Sequence, residues 1–353
     1  MSEKLITGIS HGDINGVAYE LILKTFSEPR MYESLIPVLY GSSKALAYHR
    51  KIVDLPAFNV SNISNANDAA ANRMNVINFE SEEVTVELAH STPEGERLAD
   101  AAFRRAVDDL KQGRIDVLIS APSNVDESAF LATHSVEGKS PLNILVKDNL
   151  RIVIASDKIS ISEVASTLKT DVLVRQIKDL HSVLVHDFLI NFPRIAVLSL
   201  NPGLGIKERN LGKEESEIIA PAVAEAGKTG IVCFGPYSAD DFFGSEDYTK
   251  FDAIVAMYYD QGSVPFRTLT RGEGVCYTSG LPFVRVTPDI GVCYDRAGKN
   301  ETSESAFRNA IYLATDIFNN RVIDREINAN PLKKEYHERG SDNEKLDLTK
   351  DED

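Results

Sequence analysis

Between Phe251 and Arg285 the chain collects the residue types that hold an oxyanion: FDAIVAMYYDQGSVPFRTLTRGEGVCYTSGLPFVR. Asp260 follows a tyrosine pair at the end of the apolar run Phe251–Met257, Arg267 comes seven residues later, and a second apolar run, GLPFV, delivers Arg285. A carboxylate takes a proton or a cation, while the planar fork of arginine donates two parallel hydrogen bonds to carboxylate or phosphate. The pattern predicts a buried strand over Phe251–Met257, with Tyr258–Gly262 at its C-terminal end, where open α/β sheets place ligands. Taken singly, each residue reads as a strand-end acid or a solvated surface arginine. Taken together, they point to a small anionic ligand.

The elements that must position these residues alternate in type. Apolar runs at Leu5–Ser10, Ile36–Tyr40, Ile115–Ser120, Arg151–Ala155, Ile195–Leu200 and Ile231–Phe234 predict short buried strands. Between them, helices are expected at Val17–Phe26, at Ser42–Ile52 behind a serine cap, and at Glu94–Gln112. In the last of these Leu98, Ala102, Ala106 and Leu110 fall four apart. Further helices are expected at Asp171–Asn191, at Lys213–Lys228 with a break at Pro221, and at Ser303–Asn319. This βαβ alternation predicts an α/β fold with mostly parallel sheets covered by helices. Asn59–Asn75 reads as a polar excursion without a period. HGDING after the first strand is a βα turn, and with neither GxGxxG nor a P-loop lysine it is not a dinucleotide fingerprint. His181 and His186 lie five apart on different helix faces, so they read as surface histidines rather than a metal pair.

A chain of 353 residues exceeds a usual single core, and 43% hydrophobic content supplies ample burial. The formal charge of −15 argues against nucleic acid or an anionic membrane as partner, since both demand a basic face. Three cysteines without CxxC spacing, and the absence of a long apolar N-terminal run, predict free thiols in a reducing cytoplasm. From Asp324 to Asp353 the sequence is highly charged and aperiodic, and a disordered tail is expected there.

The same central stretch, MYYDQGSVPFR…GLPFVR, resembles the signature of the 4-hydroxythreonine-4-phosphate dehydrogenases, an MYHDQG block followed by GLP and arginine. ISHGDINGVAYE, DVLISAP, LSLNPGLG, FGPYSADDFF and DRAG follow in the family's order and span most of Leu5–Arg321. The resemblance implies two α/β/α domains of the isocitrate/isopropylmalate dehydrogenase type with an interdomain cleft. Residues 1–125 plus 286–323 would form one domain and 126–285 the other. It also implies a homodimer, or a heterodimer with an intact paralogue, and a small phosphorylated substrate. The implied reaction is NAD-dependent oxidation of 4-(phosphooxy)-threonine in pyridoxal phosphate biosynthesis, assisted by a divalent metal.

Residue by residue, the resemblance assigns catalytic roles to Asp240 and Asp260. Substrate contacts fall to Arg267 (a lysine in the family), Arg285, Cys276 (an asparagine in the family) and His134, and Asp295 and Gly298 are candidates for the cofactor side. SAPSNVD stands where the family has TGP-x-x-K, and Ile290–Cys293 where it has HGTA. The family's three metal-binding histidines correspond here to Asp157, Gly203 and Tyr259. Aspartate suits Mg²⁺, tyrosine seldom serves and glycine has no side chain, so no tight metal is expected. Three functions fit: a dehydrogenase with an altered metal, a non-catalytic binding or regulatory subunit, or a metal-independent enzyme on another small phosphorylated acid.

Overall fold

The computed structural model describes residues 4–56, 58–78, 84–203 and 212–329. In chain order the first part comprises β1 (Leu5–Ser10), α1 (Ala18–Phe26), α2 (Met31–Ser34), β2 (Leu35–Gly41), α3 (Ser43–Ile52), β3 (Val60–Ile63), β4 (Met74–Asn78), α4 (Pro93–Lys111) and β5 (Val117–Ser120). The middle comprises α5 (Ser128–Ala132), β6 (Leu142–Lys147), β7 (Leu150–Ser156), α6 (Val164–Thr167), α7 (Thr170–His186), β8 (Arg194–Leu198), α8 (Ala220–Lys228), β9 (Val232–Tyr237), α9 (Ala239–Gly244), β10 (Ala253–Tyr258), α10 (Tyr259–Thr270) and β11 (Val275–Ser279). β12 (Val284–Pro288) and α11 (Ser305–Ala329) follow.

Local signals account for several boundaries. Ser42 caps α3 by accepting from the Ala45 amide, and Thr92 caps α4 by accepting from Gly95 at 3.0 Å, with Pro93 in the first turn. The α4 stripe is buried as its spacing predicts, and Leu98, Ala102 and Ala106 are all nearly or fully inaccessible. Pro221 lies in the first turn of α8, directly after a π-helical turn at Glu215–Ile219, so the expected break falls there.

All twelve strands join one sheet in the order β3-β4-β2-β1-β5-β12-β11-β6-β7-β10-β8-β9. Neighbours run parallel except for β12–β11, β11–β6 and β6–β7. One continuous sheet therefore crosses the whole molecule, and the boundary drawn from sequence between 285 and 286 passes through the middle of β12. Helices α1, α4 and α11 pack on the half built around β1, β5 and β12, and α7 and α10 pack on the half built around β7.

Two readings of the sequence are corrected. The excursion at 59–75 contains β3, whose residues alternate between exposed and half-buried at the sheet edge, and the first residues of β4. A polar edge strand carries no apolar run, so the pattern was silent. The last helix runs on to Ala329, so Asp324–Ala329 are helical and do not belong to a disordered tail. Arg321 is pinned to the buried Asp187 at 2.7 Å, Asp324 pairs with His186 at 3.0 Å, and Asn328 bonds back to Asp324. These contacts hold a charged segment in helix without an apolar stripe. Residues 330–353 lie outside the described part of the chain.

Candidate functional site

The site is built on strand ends. β10 runs parallel to β7 on one side and β8 on the other, with Tyr258 opposite Ser156 and Val255 opposite Val197. That register sets Asp157, Tyr259 and the Ser199–Gly203 turn side by side beyond three neighbouring carboxyl ends, where such sheets bind ligands. Gln261 locks two of them together: its side-chain oxygen accepts from Met257 N and its amide donates to Ser199 O, both at 2.7 Å. Asn201 is tied down in turn by Glu214 and Glu215. Gly203 adopts φ +75°, a left-handed backbone that glycine takes without strain, and its N–H reaches Ser238 Oγ at 3.4 Å. Ser238 in turn donates to Asp240 at 2.5 Å, a bond that holds this exposed carboxyl below its ordinary range.

The three positions that the sequence resemblance assigns to the family's metal ligands thus follow neighbouring strands, but their donors do not fit a divalent transition metal. Asp157 offers one carboxylate, already accepting from Asn143 Nδ2 at 3.4 Å, Tyr259 a phenol, and Gly203 nothing. Among the described residues no three His, Cys, Asp or Glu side chains are grouped to hold an ion.

Arg285 projects from β12 into a polar chain that reaches this end of the sheet. Its Nε donates to Ser120 Oγ at 3.1 Å, Nη1 to Thr278 Oγ1 at 2.9 Å, and Nη2 to the Glu127 carboxylate. Thr278 donates to Asn143 Oδ1, and Asn143 continues to Asp157. Glu127 and Arg285 are each 10% exposed, and burial pushes the Glu127 carboxyl up against the opposing pull of the guanidinium. Cys276 shares this surroundings: burial pushes its thiol up to about 12, with Arg285 pulling the other way. Arg267, in the last turn of α10, is held by Asp289 in a bidentate pair at 2.7 and 2.9 Å, which raises its pKa. Both arginines expected to form a positive pocket are therefore already bonded to carboxylates of the same chain.

The other sequence-derived candidates separate from this network. Asp260 is exposed in the first turn of α10, with no hydrogen bond or ion pair among the described residues. His134 packs tilted against the Phe130 ring, 4.5 Å between centroids, and its Nδ1 lies 2.9 Å from Phe130 O. Asp295 is exposed and pairs with its neighbour Arg296. Gly298, at φ +74°, donates its N–H to Glu20 and packs toward Ile52 and Leu88, facing the interior of the fold. Sequence reasoning missed Glu127, Ser120, Asn143, Thr278 and Asp289. Thr278 was accessible in principle, because it pairs with Arg285 across β11–β12, whereas nothing local marks Glu127. Also missed was the end of β1, where Tyr294 donates to the buried Asp13 at 2.6 Å and receives from Asn124.

Comparison with known proteins bears on the whole chain. Residues 33–314 match the family model described as pyridoxal phosphate biosynthetic protein PdxA. A 4-hydroxythreonine-4-phosphate dehydrogenase of Bacteroides thetaiotaomicron is 45% identical over 99% of both chains. Another, of Prosthecochloris aestuarii, is 32% identical over 89% of this chain and 97% of its own. The crystal structure of the Klebsiella pneumoniae 4-hydroxythreonine-4-phosphate dehydrogenase superposes with a TM-score of 0.73 at 26% identity, covering 90% of this chain and 98% of that one.

Proposed function

Because the chain belongs to the 4-hydroxythreonine-4-phosphate dehydrogenase family, we propose that it binds a small phosphorylated acid in the family's cleft without metal-dependent oxidation, as a ligand-binding or regulatory member. One observation carries this reading: Asp157, Gly203 and Tyr259 stand together at the ends of β7, β8 and β10 with a single good metal donor among them. Substrate oxidation of the family's kind relies on a cation that polarises a hydroxyl, and these residues do not preorganise one. The paired arginines support the same reading. A phosphate reaching Arg267 competes with Asp289, and one reaching Arg285 competes with Glu127, so binding is weak and salt-sensitive. Kinship with the family supports a cytoplasmic homodimer, or pairing with an intact paralogue, and leaves NAD as the cofactor to test.

A second reading is favoured by the 45% identity to the Bacteroides enzyme: an active dehydrogenase in which Asp157 and Asp260 hold Mg²⁺ through carboxylates and waters. One experiment decides between them. The purified protein is assayed with 4-(phosphooxy)-threonine and NAD across Mg²⁺, Mn²⁺, Co²⁺ and Zn²⁺, with elemental analysis and calorimetry against the same substrate. Saturable binding without NAD reduction is expected. NAD reduction above background selects the second reading, and absence of any binding sinks both.

A further inference from the structure

On the other face of the sheet from the Arg285 network, α11 leaves an open-mouthed cavity of about 510 Å³ against the ends of β6, β7 and β11. Its size is that of a small-molecule site. Strand alternation separates the two faces: Val146, Arg151 and Val275 point to the cavity, and Asn143, Cys276 and Thr278 point away from it. Arg151 is 9% exposed, and its guanidinium lies 4.6 Å over the Phe188 ring. Its Nη1 donates to the carbonyls of Asn149 and Asp252, while Nε is buried without a partner. No carboxylate lies within ion-pair distance of Arg151 among the described residues. The Asp252 carboxylate is turned to Arg194, accepting from its N–H at 2.7 Å. The other deeply buried arginine, Arg285, has Glu127. The Asp252 carboxylate acts on Arg151 only from beyond ion-pair distance, and a buried guanidinium without a counter-charge in contact is costly, which makes Arg151 a receptor for an anionic group.

The rest of the cavity restricts what that anion can be. Lys147 is already engaged by Asp148 at 3.5 Å and Glu273 at 3.4 Å. Asp316, on α11, lines the same cavity and has no ion pair or hydrogen bond among the described residues. Arg151 and the exposed carboxylate of Asp316 therefore share a space whose remaining wall joins an apolar patch of Val146, Val275, Leu313 and Ile317 to the polar side chains of Asn309, Asn319 and Asn320. A dianionic phosphate meets Asp316 unfavourably, whereas a zwitterion satisfies both charges. We propose that this cavity binds an α-amino acid with an apolar side chain, its carboxylate on Arg151, its ammonium toward Asp316 and its side chain on the Leu313–Ile317 wall.

The probes are leucine, leucinol (no carboxylate), 4-methylpentanoate (no ammonium) and inorganic phosphate, titrated calorimetrically into the full-length protein. Leucine is expected to bind saturably and raise the thermal midpoint, with leucinol and 4-methylpentanoate at least tenfold weaker and phosphate not competing. Arg151→Met should lose leucine binding. Because that variant removes a buried group and can fail to fold, Leu313→Trp, which keeps Arg151 and fills the cavity, should lose it independently. No saturable leucine binding overturns the proposal. So does leucine binding that survives Leu313→Trp, or that phosphate displaces, since phosphate is the probe for the cleft.

Discussion

Glu127 and Arg285 form an ion pair sunk beside the cleft, with Ser120 and Thr278 taking two more of the guanidinium's five donors. The arginine that a phosphate or carboxylate ligand would need is thus already satisfied, so ligand entry must break a desolvated pair. Removing the charge of Glu127 while keeping its shape releases the arginine. Glu127→Gln is expected to tighten phosphate binding about tenfold, or ~1.4 kcal/mol, read by calorimetry at low salt. Unchanged or weaker affinity would show that anions do not approach Arg285 at all.

The buried end of β1 sets a pH limit on stability. His11 and His49 flank Tyr19, whose ring stacks on His49 at 5.2 Å, and burial lowers both imidazoles to about 4. Both are neutral in the fold and titrate near 6.5 when unfolded, so the unfolded chain binds more protons between those values. Their contribution is complete above pH 6.5 and is lost as pH falls toward 4, on the order of 3 kcal/mol per histidine. Urea unfolding at pH 7.5, 6 and 4.5 should show the decline. The double variant His11→Phe, His49→Gln should flatten it, and an equally steep variant curve would assign the loss to other groups.

The thiol of Cys276, a residue that the sequence resemblance sets on the substrate side, stays protonated at neutral pH because burial raises it to about 12. Native protein treated with iodoacetamide at pH 8 should leave Cys276 unmodified by peptide mass analysis until denaturant is added. Rapid labelling in the native state would mean that this part of the cleft is open to solvent.

How legible these features were depends on how local their causes are. α4 could be read because its cap, its proline and its four-residue stripe all lie within one segment. The strands β1, β7 and β10 could be read because a central strand is apolar on both faces. Asp157, Gly203 and Tyr259 could be located because each follows a strand that the sequence marks. The partners of the arginines were beyond reach. Glu127 is separated from Arg285 by 158 residues and Asp289 from Arg267 by 22, and no periodicity links them. The end of α11 failed for the same reason, because the distant Asp187 and His186 hold it.

That end of α11 is itself testable. Arg321 donates to both oxygens of Asp187 and to Tyr277 Oη, and Tyr277 donates to Asp187 at 2.6 Å, which fastens the helix to β11 across the core. Arg321→Met leaves Asp187 buried without its counter-charge, at an expected cost of about 3 kcal/mol. A loss below ~1 kcal/mol in urea unfolding would mean that Asp187 finds another partner or water.

The metal site offers the sharpest test, because geometry and chemistry pull apart there. The backbone puts positions 157, 203 and 259 at three adjoining strand ends, so histidines installed together would converge. At 203 the left-handed backbone resists a side chain, costing roughly 1–2 kcal/mol for most residues. The protein as it stands is expected to purify without stoichiometric zinc, cobalt or nickel. The triple variant Asp157→His, Gly203→His, Tyr259→His is expected to take up one Zn²⁺ or Co²⁺, with Co²⁺ read from its visible absorption, while unfolding at lower urea in the apo form. Turnover need not return with the metal, since Cys276 and the Glu127–Arg285 pair still occupy the substrate side. Stoichiometric transition metal in the unmodified protein, removable by chelator and lost in Asp157→Ala, would show that the carboxylate set does hold a cation and would return the chain to the active dehydrogenases.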